Sequence, residues 1–141
     1  MKKLLTLIAI ATLVGCESDE ETLAKCTPVP SEMVEVLNGG FSNEGYAIAP
    51  NTVRAVKSNA FKSLYFIAGR ATGPQLPPPG HIGVWASNSL QAGEGMILSV
   101  NWLATDYSVW PDGKETQAKI SLSDHGKFES ESCAEVLSKN T

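Results

Sequence analysis

The stretch from residue 46 to residue 122 constrains the fold most, because short runs of β-branched and aromatic residues are separated there by Gly, Pro, Asn and Ser. This texture is typical of short antiparallel strands joined by turns. The most apolar run, at 61–68, is predicted to be a central strand. The six predicted strands lie at about 46–49, 52–57, 61–68, 81–86, 96–101 and 117–122.

The fourth of these predicted strands alternates regularly. Ile82, Val84 and Ala86 share one face, and Gly83 and Trp85 share the other. We therefore expect one aliphatic face and one face with a single tryptophan. The absence of a side chain at Gly83 would leave room for a neighbouring ring.

A helix is predicted before the strands. Ser31 is a capping residue, an acidic residue follows it, and Met33, Val34 and Leu37 stand at helical spacing. Asn-Gly-Gly at 38–40 would end the helix. The three apolar side chains are expected to pack on the sheet.

A second helix is predicted at the other end, with Asp124 as N-cap and an end near Ser138. Its expected apolar stripe consists of Phe128, Cys133, Val136 and Leu137. The pattern as a whole predicts an α+β fold. An antiparallel sheet of about five or six short strands would carry an N-terminal and a C-terminal helix packed on one face.

Prolines mark a connection at 72–80, where Pro77, Pro78 and Pro79 favour polyproline II structure and exclude a central strand. We predict an exposed loop that acts as a stiff spacer. Docking of this segment on a partner's aromatic groove is the alternative. The polar segment 88–95 is predicted to be a second loop.

An aromatic run at 102–113 is the candidate ligand or partner surface. It contains Trp102, Tyr107 and Trp110 together with Asp106 and Asp112. Sugar and peptide binders use such rings near loops, because a flat ring offers a large contact area and Tyr or Trp keeps a polar group. The alternative is that these rings fill the core or cover its rim.

The N-terminus has the features of a secretory signal peptide: Lys2 and Lys3, an apolar segment at 4–14, a small residue and a cysteine. Eleven helical residues reach about 16 Å, roughly half of the hydrocarbon core of a bilayer. The segment is therefore too short to span the membrane stably.

The sequence Leu13-Val14-Gly15-Cys16 resembles the lipobox of bacterial lipoproteins. The resemblance covers the first sixteen residues and implies cleavage before Cys16 and acylation of that cysteine, with palmitate among the usual chains. Two or three acyl chains would give stable anchoring to membrane lipid. Glu17, in place of an aspartate, implies the outer membrane facing the periplasm if the host is Gram-negative. The alternative is an ordinary signal peptide cut near Gly15, with Cys16 as a plain thiol.

The expected organisation is a signal peptide at 1–15, an acidic lipid-anchored tether at 16–25 and a single globular domain at 26–141. Removal of the signal leaves 126 residues with nine basic and fifteen acidic side chains, a net charge of −6. An acidic domain argues against nucleic acid or anionic headgroups as the main partner.

If Cys16 carries lipid, Cys26 and Cys133 remain as one pair. Export to an oxidising compartment then predicts a disulfide. Closing a loop of about 107 residues contributes up to roughly 4.7 kcal/mol in the chain-entropy model. A redox-active or metal-binding pair is the alternative, but the chain has no C-x-x-C motif.

Catalytic and cofactor signatures are sparse. Ser123-Asp124-His125 are sequence neighbours whose side chains diverge, and they fit a turn and helix cap better than a catalytic triad. His81 and His125 do not make a zinc site by themselves, and neither P-loop nor dinucleotide-binding motifs occur. We expect no catalytic residue, no metal and no cofactor.

The globular part resembles small bacterial lipoproteins whose function is uncharacterised. The leading hypothesis is a non-enzymatic binding or interaction module of the cell envelope, with an envelope protein or a glycan as partner and no nucleic acid. One alternative is an envelope inhibitor or exclusion factor acting on a hydrolase or a phage. Another is a small hydrolase that uses His81 or His125.

Overall fold

The computed structural model describes residues 17–116 and 119–139, so the expected signal peptide and lipobox lie outside the described residues. The elements in chain order are α1 (Asp19–Ala24), β1 (Thr27–Pro28), α2 (Ser31–Gly39), β2 (Ala47–Ile48), a 3-10 turn (Pro50–Thr52), β3 (Arg54–Lys57), β4 (Tyr65–Gly73), β5 (Leu76–Ser87), β6 (Ile97–Ser99), α3 (Trp102–Tyr107) and α4 (His125–Ser138).

The strands form one antiparallel sheet in the order β1-β3-β4-β5-β6, and β2 pairs with β4 beyond the end of β3. The α+β fold with a six-stranded antiparallel sheet is confirmed. β4 contains the second half of the run predicted as a central strand and does lie at the centre. Its first residue is Tyr65, four positions later than expected.

Both faces of the central strands are apolar, so each face needs its own cover. Phe66, Val84 and Ala86 lie in one buried cluster together with Ala134 of α4. Ile67 and Trp85 lie in a second cluster, which includes the apolar face of α2 and residues of α3. The prediction that both helices pack on one face is therefore wrong, and α2 and α4 lie on opposite faces.

The segment predicted to be an acidic tether, 16–25, contains a helix. Ser18 accepts a hydrogen bond from the Glu21 backbone N–H (3.2 Å) and caps α1, which packs against α4. The predicted disulfide joins Cys26, two residues after α1, to the buried Cys133 of α4. It fixes the start of the described chain to its last helix.

The prolines lie inside β5 and do not form the expected loop. In the β4–β5 pair, Gly73 pairs with Leu76 and Ala71 pairs with His81. The four residues 77–80 therefore lie opposite Thr72 alone and form a large bulge. A bulge leaves its residues out of the hydrogen-bond ladder, so prolines without N–H groups are tolerated there. The loop predicted at 88–95 is present between β5 and β6.

Gly80 ends this bulge in a left-handed conformation, with φ at 75°. A Cβ at this position would lie 2.1 Å from the carbonyl oxygen of Ala71. The bulge therefore depends on glycine both for its backbone conformation and for its close approach to β4.

Two details near the C-terminus differ from expectation. Residues 119–122 form no strand, and 117–118 lie outside the described residues. Ile120 is nonetheless buried in the cluster beneath α4. Phe128 is 51% exposed and does not belong to the buried stripe of α4, because the helix turns that side chain away from the sheet.

Asp124 caps α4 as predicted and also binds the loop after β3. Its buried carboxylate accepts hydrogen bonds from the Gly126 N–H (2.8 Å), the Ser58 hydroxyl (2.6 Å) and the Asn59 N–H (3.3 Å). Burial raises the pKa of Asp124, but the hydrogen bonds, led by that from Ser58, lower the pKa by more. The net pKa lies below the ordinary value.

A lowered native pKa predicts how stability depends on pH. The contribution of ionised Asp124 is complete above the unfolded pKa of about 3.9 and is lost as pH falls through the native value. Asp124→Asn is expected to lower the free energy of unfolding at pH 7 by about 1–2 kcal/mol. This difference from wild type should shrink below about pH 4 in urea titrations. A difference that is constant down to pH 3, or that matches the exposed control Asp106→Asn, would contradict the assignment.

No helix within the described residues has both the length and the apolar character needed to cross a bilayer.

Candidate functional site

A cleft of about 700 Å³ lies where α1, α4, the bulged end of the β4–β5 hairpin and the start of α3 meet. Its walls carry charges of both signs, a histidine and two exposed aromatic rings. The residues on which the following argument depends are Glu17, Arg70, His81, Trp102, Phe128 and Glu135.

Trp102 is held at the cleft by Asn101, the N-cap of α3. The Asn101 side chain accepts from the backbone N–H of Ala104 (3.2 Å) and of Val84 (3.1 Å), and it donates to the carbonyl of Ile82 (2.8 Å). One amide thus starts the helix and joins it to β5. Since α3 directs its next two residues into the core, Trp102 is left 53% exposed.

A series of ring contacts runs from the cleft into the core. The centroid of Trp102 lies 5.5 Å from His81 and 6.3 Å from Tyr107. Tyr107 contacts Tyr46 at 5.0 Å, and Tyr46 contacts Phe41 at 5.9 Å. Tyr107 also donates a hydrogen bond to Gln75 (3.2 Å) at the tip of the β4–β5 hairpin. The exposed ring therefore rests on a rigid aromatic support.

Arg70 shapes the opposite wall. It projects from β4 on the face covered by α4, and its guanidinium donates to the carbonyls of Pro79 (3.3 Å) and Gly80 (3.1 Å). Its other terminal nitrogen forms an ion pair with Glu135 of α4 at 2.8 Å. The proline bulge is thus connected to α4 through one side chain.

A second ion pair lies on the same wall. Lys127 and Glu131, one turn apart on α4, approach to 2.7 Å, and the Lys127 ammonium lies 4.7 Å from the centroid of Phe128. Both ion pairs are already formed within the cleft wall, so the acids and bases there largely neutralise each other. The resulting surface suits an uncharged or zwitterionic ligand better than a highly charged one.

The other members of the predicted surface lie apart from this series. The Trp110 ring covers Gly40, where a Cβ would lie 2.4 Å from its indole nitrogen, and that buried nitrogen has no hydrogen-bond partner among the described residues. Asp112 accepts from the Lys114 N–H (2.9 Å), and Asp106 is exposed. Of the five predicted residues, the structure brings Trp102 and Tyr107 into contact.

The two histidines differ in position. His81 lines the cleft beside Trp102, whereas His125 is the exposed first residue of α4. Ser132, a hydroxyl in the same cleft, donates to the Phe128 carbonyl (3.0 Å). The His81 side chain forms no hydrogen bond with another described residue. In residues 17–116 and 119–139, His, Cys, Asp and Glu side chains form no group of three that could hold a metal ion.

Sequence reasoning missed Arg70, Asn101 and Tyr46. A lone arginine in the apolar strand 65–71 was a usable signal, because a charge in a buried strand needs a partner. Asparagine directly before Trp102 was a helix-cap signal. The position of Tyr46 against Tyr107 depends on the fold and had no sequence signal.

No protein-family model, curated protein or solved structure matches this chain.

Proposed function

We propose that this chain is a lipoprotein of the bacterial cell envelope that works as a non-enzymatic binding module. The signal peptide at 1–15 exports it and Cys16 carries the lipid anchor. In a Gram-negative host it faces the periplasm from the outer membrane. Support for export comes from the pairing of Cys26 with Cys133, since such bonds persist in oxidising compartments. That pairing leaves Cys16 as the third cysteine of the chain.

The observation that carries the binding function is Trp102, a large ring held half-exposed at the edge of a cleft. The Asn101 contacts and the aromatic series beneath it fix its position, so little side-chain freedom is lost when a ligand covers it. Exposed, preorganised tryptophans are enriched among residues that dominate binding energy. The Ser132 hydroxyl donates to a carbonyl of its own helix, and the His81 ring has no hydrogen-bonded partner among the described residues, which favours binding over hydrolysis.

Anchoring is tested by mass spectrometry of protein purified from membranes with detergent. The N-terminal peptide is expected to begin at Cys16 and to carry a diacylglyceryl group. Cys16→Ala is the control and should retain the uncleaved signal peptide without lipid. An unmodified Cys16 in the mature protein would refute the anchor.

Binding is tested in living cells by replacing Trp102 with a photo-crosslinking residue. Trp102→p-benzoylphenylalanine is expected to form an adduct with an envelope component, because its ring lies at the cleft edge. The matched control is Val109→p-benzoylphenylalanine, at a position that is 64% exposed but does not line the cleft. Equal labelling from both positions, or none from either, would contradict a binding surface at Trp102.

A further inference from the structure

The short connection between Cys16 and the folded chain fixes the position of the cleft relative to a lipid anchor. Glu17 lines the cleft and forms an ion pair with Lys25 (2.5 Å), and α1 begins two residues later. Cys16 directly precedes Glu17 in the sequence, so a lipid on Cys16 would be attached one residue before the cleft wall. An anchor at Cys16 would therefore enter the membrane directly beside the cleft.

The base of this connection is firmly held. α1 packs against α4, and the disulfide at Cys26 fixes the chain to α4 immediately after the helix. The headgroup layer on each side of a bilayer is about 5–7 Å thick. Glu17 lines the cleft wall and is bonded to the cysteine that would carry the lipid. The cleft wall would therefore lie at the headgroup layer.

The rim of the cleft has the chemistry of a membrane interface. Trp102 and Phe128 both line it and are the two most exposed aromatic side chains among the described residues. Tryptophan is enriched at the level of the lipid headgroups, where its ring meets apolar chains and its N–H meets water. Lys139 and the ion pair of Lys127 with Glu131 stand on the same wall.

The charges of the wall identify the kind of lipid. The wall contains both cationic and carboxylate side chains, and the mature chain has a net charge of −6. Such a surface meets both the phosphate and the ammonium of a zwitterionic headgroup, whereas a purely anionic surface would repel the domain. Contact would then depend on the rings and the anchor, with little dependence on salt.

We propose that Trp102 and Phe128 seat the cleft on the zwitterionic headgroup layer of the membrane that holds the anchor. This inference rests on the proposed acylation of Cys16 and names the bilayer surface as the ligand of the binding module. The contact keeps the cleft side of the domain, where α1, α4 and the start of α3 meet, against the lipid.

The test uses the acylated protein in phosphatidylethanolamine-rich vesicles that contain brominated lipid, which quenches tryptophan fluorescence on contact. Wild type is expected to be quenched at low and at high salt. Trp102→Phe should lose most of the quenching, and Trp110→Phe should retain it. Quenching that persists in Trp102→Phe, or that disappears at high salt, would overturn the proposal.

A linker insertion tests the geometric step. A Gly-Ser insertion of about ten residues between Glu17 and Ser18 adds a flexible spacer with a root-mean-square length of about 17 Å. It should weaken the quenching of Trp102, while the same insertion between Gly93 and Glu94 should leave it unchanged. Equal quenching in both insertion variants would refute close seating by the anchor.

Mass analysis of each preparation separates the two proposals. A preparation without lipid on Cys16 refutes the anchor. An acylated protein whose Trp102 is not quenched retains the anchor and refutes only the membrane seating. If the photo-crosslinker at Trp102 formed adducts of the size of a protein and not of a lipid, this would also contradict the membrane seating.

Discussion

Replacing Cys26 and Cys133 together with serine is expected to lower the free energy of unfolding by about 2–5 kcal/mol. The bridge spans 107 residues, so its loss frees nearly the whole described chain in the unfolded state. Since Cys133 is fully buried, the serine hydroxyl at that position also has to be desolvated. At about 4 °C per kcal/mol for a domain of this size, Tm should fall by about 8–20 °C.

Calorimetry with and without reductant checks this result. The Tm of the double variant should not change with reductant, and the Tm of reduced wild type should approach that of the double variant. Hydrogen exchange should rise first in α1, because the bridge lies between α1 and the helix on which it packs. A Tm within about 3 °C of wild type, which is under 1 kcal/mol, would show that the bridge contributes little.

Trp85→Ala is expected to lower the free energy of unfolding by about 3–5 kcal/mol, which is the second large effect. The ring is fully buried, meets Phe41 edge-on at 6.3 Å and fills the space left by Gly83, where a Cβ would lie 2.5 Å from it. Its N–H also donates to the Ser108 hydroxyl (3.2 Å). Truncation therefore leaves a cavity and removes a buried hydrogen bond.

Urea unfolding followed by circular dichroism measures the loss. Trp102→Ala is the matched control, because the same substitution at a half-exposed position should change stability by no more than about 0.5 kcal/mol. The loss of stability in Trp85→Phe should lie between the losses in Trp85→Ala and Trp102→Ala, because phenylalanine keeps most of the ring volume but lacks the N–H. Equal costs at Trp85 and Trp102 would contradict the division of these rings between core and surface.

Local signals predicted the elements of the fold well. The Asn-Gly-Gly end of α2, the Asp124 cap of α4 and the alternation around Trp85 all act within a few residues. Their physical causes, capping hydrogen bonds and the strand period of two, are readable without tertiary information. The position of Cys133 on α4 likewise followed from helical spacing.

Elements that depend on distant contacts were harder to predict. Three prolines suggested a loop because they lack N–H groups, but a bulge tied to α4 through Arg70 makes those groups unnecessary. The helices lie on opposite faces because both faces of the fourth predicted strand are apolar and each face needs its own cover. The separation of Trp102 from Trp110 depends on Gly40, which lies more than sixty residues earlier in the chain.

The outer strands of the sheet have a consequence for self-association. β1 has two residues, of which Pro28 has no N–H to offer, and the outer edge of β6 is occupied where Ser99 exchanges 2.8 Å hydrogen bonds with Pro111 and Gly113. Short or occupied edges offer no template for strand addition by another copy. Copies of this chain are therefore not expected to polymerise by edge-to-edge addition of these strands.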